Sequence, residues 1–74
     1  MAVDIEIFGQ LGHNRQRRQP MEIQGQTTAR DLALAVGLDL EEIGLVMIDG
    51  VQSRLEDAVR PDSRLCFFPY VSGG

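Results

Sequence analysis

Apolar and polar side chains alternate along Val3-Asp4-Ile5-Glu6-Ile7-Phe8. That period of two predicts a half-buried strand with Val3, Ile5 and Ile7 facing a core. Phe8 then falls on the acidic outer face, where a large aromatic is unexpected. Residues 9–19 are a polar, glycine-punctuated connection, with Leu11 placed to tuck back onto the body. Pro20 to Gln24 predicts a second strand with Met21 and Ile23 inward, and Pro20 suits the first residue of an edge strand. The two strands read as a hairpin. The period then changes: Ala29, Leu32, Ala33 and Val36 share one stripe at helical spacing. Thr28 is the expected N-cap, Asp31 its capping-box partner and Gly37 the left-handed stop. Asp39 to Ile43 predicts one further turn, with Leu40 and Ile43 inward.

Leu45-Val46-Met47-Ile48 is a continuous apolar run, the pattern of a strand covered on both faces. Asp49-Gly50 is the signature of a type I′ hairpin turn, which returns Val51 to Leu55 as a short strand. Arg60-Pro61-Asp62-Ser63 has proline at the second position of a tight turn. Arg64 to Phe68 is the last strand, with Leu65 and Phe67 alternating with Cys66 and Phe68. The order β-β-α-β-β-β makes the chain an α+β protein.

At 74 residues with 43% hydrophobic content, the chain is expected to be a single domain, 1–74, with a small core. A net charge of −4 and a pI near 4.7 argue against nucleic acid as the main partner. No stretch approaches a membrane span and the first residues lack a signal-peptide layout, so no membrane partner and a cytoplasmic location are expected. The single cysteine, Cys66, allows no internal disulfide and suggests no metal site. His13 is lone and reads as a surface turn residue. All seven basic residues are arginine. Arg15, Arg17 and Arg18 are clustered, and a solvated loop is their expected role. No nucleophile–base set, useful carboxylate pair or phosphate-binding loop is present, so no active site of the chain's own is expected and no bound cofactor.

The remaining chemistry lies in Phe67-Phe68-Pro69-Tyr70-Val71-Ser72-Gly73-Gly74. Proline gives a ladder no N–H, so pairing is expected to fail near Pro69 and residues 70–74 to form a flexible tail. Gly73 and Gly74 accept almost any backbone conformation. They could pass an α-carboxylate down a narrow channel with no side chain to block attack on the carbonyl carbon.

This run resembles the C-terminus of the ubiquitin-like sulfur carriers of the MoaD/ThiS type, and the Phe-Phe-Pro-x-Val-Ser-Gly-Gly form is closer to the MoaD side, the small subunit of molybdopterin synthase. Many such tails have a second proline where this chain has Tyr70. The resemblance implies a ubiquitin-like β-grasp: a mixed sheet, one main helix packed on one face, and the first and last strands as parallel central neighbours. It implies that a ubiquitin-activating-like enzyme uses ATP to adenylate Gly74. A sulfur donor protein would then supply a thiocarboxylate, and a MoaE-like large subunit of molybdopterin synthase would receive the tail. Gly73 and Gly74 are the reacting end in this reading. Phe8, Phe68, Pro69, Tyr70, Val71 and Ser72 are the candidate partner contacts, and Phe8, Phe68 and part of the 45–48 run form an apolar patch with Cys66 as a small member. The alternatives are sulfur carriage for another product (a thiazole or an amino acid), a protein modifier attached through Gly74, or a β-grasp binding module in which Gly-Gly is incidental.

Overall fold

The computed structural model describes residues 1–70. Strand β1 (Ala2–Ile7) pairs antiparallel with β2 (Arg18–Glu22), placing Ile5 opposite Gln19 and Val3 opposite Met21. The second strand begins at Arg18, two residues before Pro20. The ladder tolerates this proline because Ile7 N–H donates to Arg17 O and Ile23 N–H to Met1 O. Odd-numbered residues of β2 therefore face β1, and the nitrogen of Pro20 faces the free side of an edge strand.

After a two-residue strand β3 (Thr27–Thr28) comes helix α1 (Ala29–Ala35). Its start is the expected capping box: Asp31 N–H donates to Thr28 Oγ1 at 3.2 Å and Thr28 N–H to Asp31 Oδ2 at 3.1 Å. Two further orphan donors are used by tertiary contacts, Ala29 N–H to Asp57 O and Arg30 N–H to Leu55 O, which ties the helix start to the loop after the second hairpin. The end is a Schellman motif. Gly37 has φ +83°, Gly37 N–H donates to Leu34 O and Leu38 N–H to Ala33 O. The same motif buries Leu38, a core residue that the helical stripe does not include.

A short 3-10 turn (Leu40–Glu42) leads into β4 (Ile43–Ile48). Asp49 and Gly50 both have positive φ, 52° and 80°, as a type I′ turn requires, and Ile48 faces Val51 across it. Strand β5 is only Val51–Ser53. The two-residue β6 (Ala58–Val59) pairs with β3 in a small second sheet; neither was expected, because two-residue strands carry no readable period. Asp62 has φ 66° after Pro61, the backbone of a type II turn, and starts β7 (Arg64–Pro69).

The main sheet runs β2-β1-β7-β4-β5, with β1 and β7 parallel and the other neighbours antiparallel. This is the β-grasp arrangement. Helix α1 lies over one face. Val3, Ile5, Ile7, Leu65 and Phe67 form the centre of the core, each at most 1% exposed. The apolar run in β4 divides between the two faces, as the expected apolar patch requires and a strand covered on both faces does not. Val46 is buried and Ile48 packs on the core, but Leu45 and Met47 point to the other face, where no element among the described residues covers them.

Candidate functional site: the outer face and the root of the tail

Parallel pairing of β1 with β7 sets Glu6 beside Cys66 and Ile7 beside Phe67; antiparallel pairing of β4 with β7 sets Leu45 beside Phe68 and Met47 beside Cys66. The outer face is therefore two lobes. At the Arg64 end, Arg18 pairs with Asp4 at 2.9 Å and Arg64 with Glu6. At the Pro69 end the side chains are apolar. The rings of Phe8 and Phe68 stack with centroids 4.4 Å apart and planes 8° from parallel, and Leu45, Met47 and Cys66 lie in adjoining register positions. All five are half-buried. Stacking accounts for Phe8: an aromatic just past β1, on the face that carries Asp4 and Glu6, is stabilised by a ring on the neighbouring strand.

Burial pushes the Cys66 thiol above its ordinary range, only partly offset by the Arg64 cation. A thiol held protonated is a poor nucleophile, so Cys66 acts as a small apolar member of this lobe.

Pro69 closes the ladder opposite Ile43, and the register shifts between Ile43 and Leu45. Gly44 is the extra residue of this bulge. A Cβ there would stand 2.8 Å from Pro69 O, Tyr70 Cα and Tyr70 N. On the opposite side Gly9, with φ +60°, faces the proline ring; its Cβ would stand 2.9 Å from Pro69 Cγ. Gly9 opens the 3-10 turn Gly9–Gly12, which carries the buried Leu11. Arg17 Nη1 donates to Gly9 O at 2.9 Å, and the Arg17 side chain lies against Gly12, where a Cβ would stand 2.7 Å from Nη1. The root of the tail is thus held between two glycines, one braced by an arginine.

The basic loop does more than keep the protein in solution. Besides Arg17 on Gly9 and Arg18 on Asp4, Arg15 Nη1 donates to Val36 O and Gly37 O, at 3.1 and 2.9 Å. These are carbonyls left open at the end of α1. Each arginine is solvent-exposed and each has a structural partner. His13 is exposed, and no group of His, Cys, Asp and Glu among the described residues is arranged to hold a metal ion.

Of the candidate contacts, Phe8 and Phe68 stack on the outer face; Pro69 and Tyr70 follow Phe68 on the chain, packed against Gly9 and Gly44, with Tyr70 64% exposed. Val71, Ser72, Gly73 and Gly74 lie outside the described residues. Sequence reasoning passed over Gly9, Gly44 and Arg17 as site residues. For Gly44 a signal existed: a glycine inside an apolar strand marks a bulge or a close backbone approach.

Comparison with solved structures matches this architecture over the whole chain. SAMP1 from Haloferax volcanii superposes with a TM-score of 0.77 at 24% identity, covering 100% of both chains. Another structure of H. volcanii small archaeal modifier protein 1 gives 0.72 at 21% identity, over 95% of this chain and 98% of that one. A chain from the complex of subunits 1 and 2 of molybdopterin-converting factor from Helicobacter pylori gives 0.64 at 12% identity over 100% of both. No family model matches the sequence, and no curated protein matches it. The shared property is the fold: this chain has a ubiquitin-like β-grasp with one main helix on a mixed five-stranded sheet.

Proposed function

We propose that this protein is a ubiquitin-like sulfur carrier whose Gly74 carboxylate is activated by an ATP-using, ubiquitin-activating-like enzyme. In this reading a sulfur donor protein converts it to a thiocarboxylate, which donates sulfur in molybdopterin biosynthesis while bound to a MoaE-like large subunit. The observation that carries the reading is where β7 ends. The strand that places Phe68 in the apolar lobe ends at Pro69, and the sequence goes on through Tyr70 as Val-Ser-Gly-Gly. A partner seated on the Phe8–Phe68 lobe would therefore hold the tail beside its own reactive groups, and an apolar patch of this kind on a small protein favours a partner site. The β-grasp shared with a subunit of the H. pylori molybdopterin-converting factor supports the same direction.

The chemistry explains the need for partners. A carboxylate oxygen is a poor leaving group. Attack of the carboxylate on the α-phosphorus of ATP releases pyrophosphate and gives an acyl-adenylate. A persulfide on the donor protein then displaces AMP to give an acyl disulfide, and a second thiol attacks the donor-side sulfur, forming a disulfide with the donor and releasing Gly74 as its thiocarboxylate.

A second reading is favoured by the likeness to the H. volcanii small archaeal modifier: the same adenylate could pass to a lysine of a target protein. With no lysine in this sequence, such a modifier would be attached singly and could not build Lys-linked chains of itself. One experiment separates the two. Protein co-produced with its activating enzyme and sulfur donor is analysed by intact mass. A single oxygen-for-sulfur exchange at the C-terminus, whose product gains one alkyl group from a thiocarboxylate-reactive alkylating agent, is the expected result. Lys-linked adducts without that exchange would replace the carrier reading by the modifier.

A further inference from the structure

We propose that Gly44 and Gly9 are positioning residues that aim the chain as it leaves the fold past Pro69. For activity this rests on the carrier reading; for geometry it does not.

Gly44 is exposed and its φ is not in the left-handed region. Nothing in its backbone conformation requires glycine, and alanine at such a site ordinarily stabilises by restricting the unfolded chain. What excludes a side chain is space. The atoms 2.8 Å from a Cβ here are all backbone, Pro69 O and Tyr70 N and Cα, so no rotamer change relieves the clash. The bulge at Gly44 bends β4 where β7 loses its ladder, and the missing Cβ lets Tyr70 pass close against it. Gly9 limits the path from the other side through the Pro69 ring, and Arg17 holds the Gly9 carbonyl. Two walls at the successive residues Pro69 and Tyr70 fix a direction as well as a position. A tail presented to a narrow channel gains from that restriction, because a misplacement of about 1 Å can cost 100-fold in rate.

The test uses the full chain, isotopically labelled, with two readouts. The first is the amide shift and residual dipolar coupling of Tyr70 in wild type and in Gly44→Ala. The second is ATP–pyrophosphate exchange by the cognate adenylating enzyme. In a folded Gly44→Ala protein the core amides of β1 and β7 keep their couplings while Tyr70 changes. Exchange then shows kcat reduced about tenfold or more with KM nearly unchanged, because the Phe8–Phe68 lobe is untouched. A folded Gly44→Ala protein with wild-type Tyr70 couplings, or with unchanged kcat, overturns the proposal. If wild type itself supports no exchange, the carrier reading fails and the couplings alone decide the geometry. If Gly44→Ala does not fold, Gly9→Ala is compared with Gly9→Ala/Pro69→Ala. The second change removes the ring atoms that the new Cβ meets but leaves any backbone strain at Gly9. Return of the Tyr70 coupling toward wild type in the double variant supports the clasp; identical couplings in the two overturn it.

Discussion

The two faces of the sheet are made by the same strands in alternation, and they differ in what completes them. On the inner face Val3, Ile5, Ile7, Leu65 and Phe67 meet the helix and are almost wholly removed from water. On the outer face Asp4 and Glu6 pair with Arg18 and Arg64, and Phe8 stacks on Phe68 with Leu45 and Met47 alongside. Among the described residues, those side chains are satisfied sideways, by neighbours on the same surface. The inner face therefore decides whether the chain folds, whereas the outer face has apolar area still to bury. Consecutive residues show the contrast most sharply: Phe67 is 0% exposed and Phe68 is half-buried.

Phe67→Ala should have the largest effect. Removing a fully buried phenylalanine typically costs about 3–5 kcal/mol. A chain of this length has roughly 4–11 kcal/mol in total, so the variant should be marginally folded in a urea titration. Phe68→Asp should separate the faces. Loss of the stack and of partial burial should cost only about 1–2 kcal/mol, leaving the fold intact. Binding to the activating enzyme or large subunit should weaken by about 2 kcal/mol or more, roughly thirtyfold, measurable by calorimetry. An unfolded Phe68→Asp protein would break the comparison.

The inner face and most element boundaries were legible because they depend on local periods and short motifs. The alternation in 3–8, the Thr28/Asp31 box, Gly37 and Asp49-Gly50 each specify backbone geometry within a few residues. The outward placement of Leu45 and Met47 was legible from the single helix, which can cover only one face of the sheet, and not from their own run. A continuous apolar strand reads the same whether its second face meets another layer or is left bare. The glycine clasp was hidden for a related reason: Gly9 and Gly44 meet Pro69 only after three strands have assembled. The loop arginines are exposed, as expected, but the carbonyl partners of Arg15 and Arg17 were not legible, because a side chain that meets a carbonyl distant in sequence looks like any solvated charge.

Arg15 gives a smaller, sharper test of what lies outside both faces. Arg15→Gln removes a cation from the C-terminal end of α1, with an expected loss of about 0.3–1 kcal/mol that declines with salt. No change at low salt would restore the solvated-loop reading. At the other end of the helix, hydrogen bonding first from the Thr28 backbone and then from its side chain holds the Asp31 carboxyl below the ordinary aspartate range. The folded state binds this proton less readily than the unfolded chain. The contribution is therefore present above the unfolded aspartate pKa of about 3.9 and is lost as pH falls through the lower folded value. Asp31→Asn should lower stability at neutral pH and flatten the acid limb of a stability–pH profile.

Cys66 should give the smallest effect. It sits on the outer face beside Met47 and Glu6, on the strand that ends at Pro69, so a thiol relay to Gly74 is the alternative mechanism to test. Its environment argues against that role. Burial raises the thiol pKa, Glu6 acts in the same direction, and the Arg64 cation opposes them without reversing the shift. Little thiolate should therefore exist at neutral pH, and alkylation of Cys66 at pH 8 should be slower than that of a free cysteine. Arg64→Gln should slow it further by removing the one nearby cation that favours the thiolate. Cys66→Ala should leave sulfur loading of Gly74 unchanged in the intact-mass experiment. Loss of loading in a folded Cys66→Ala protein would make the outer face a participant in the transfer as well as a surface that holds the partner.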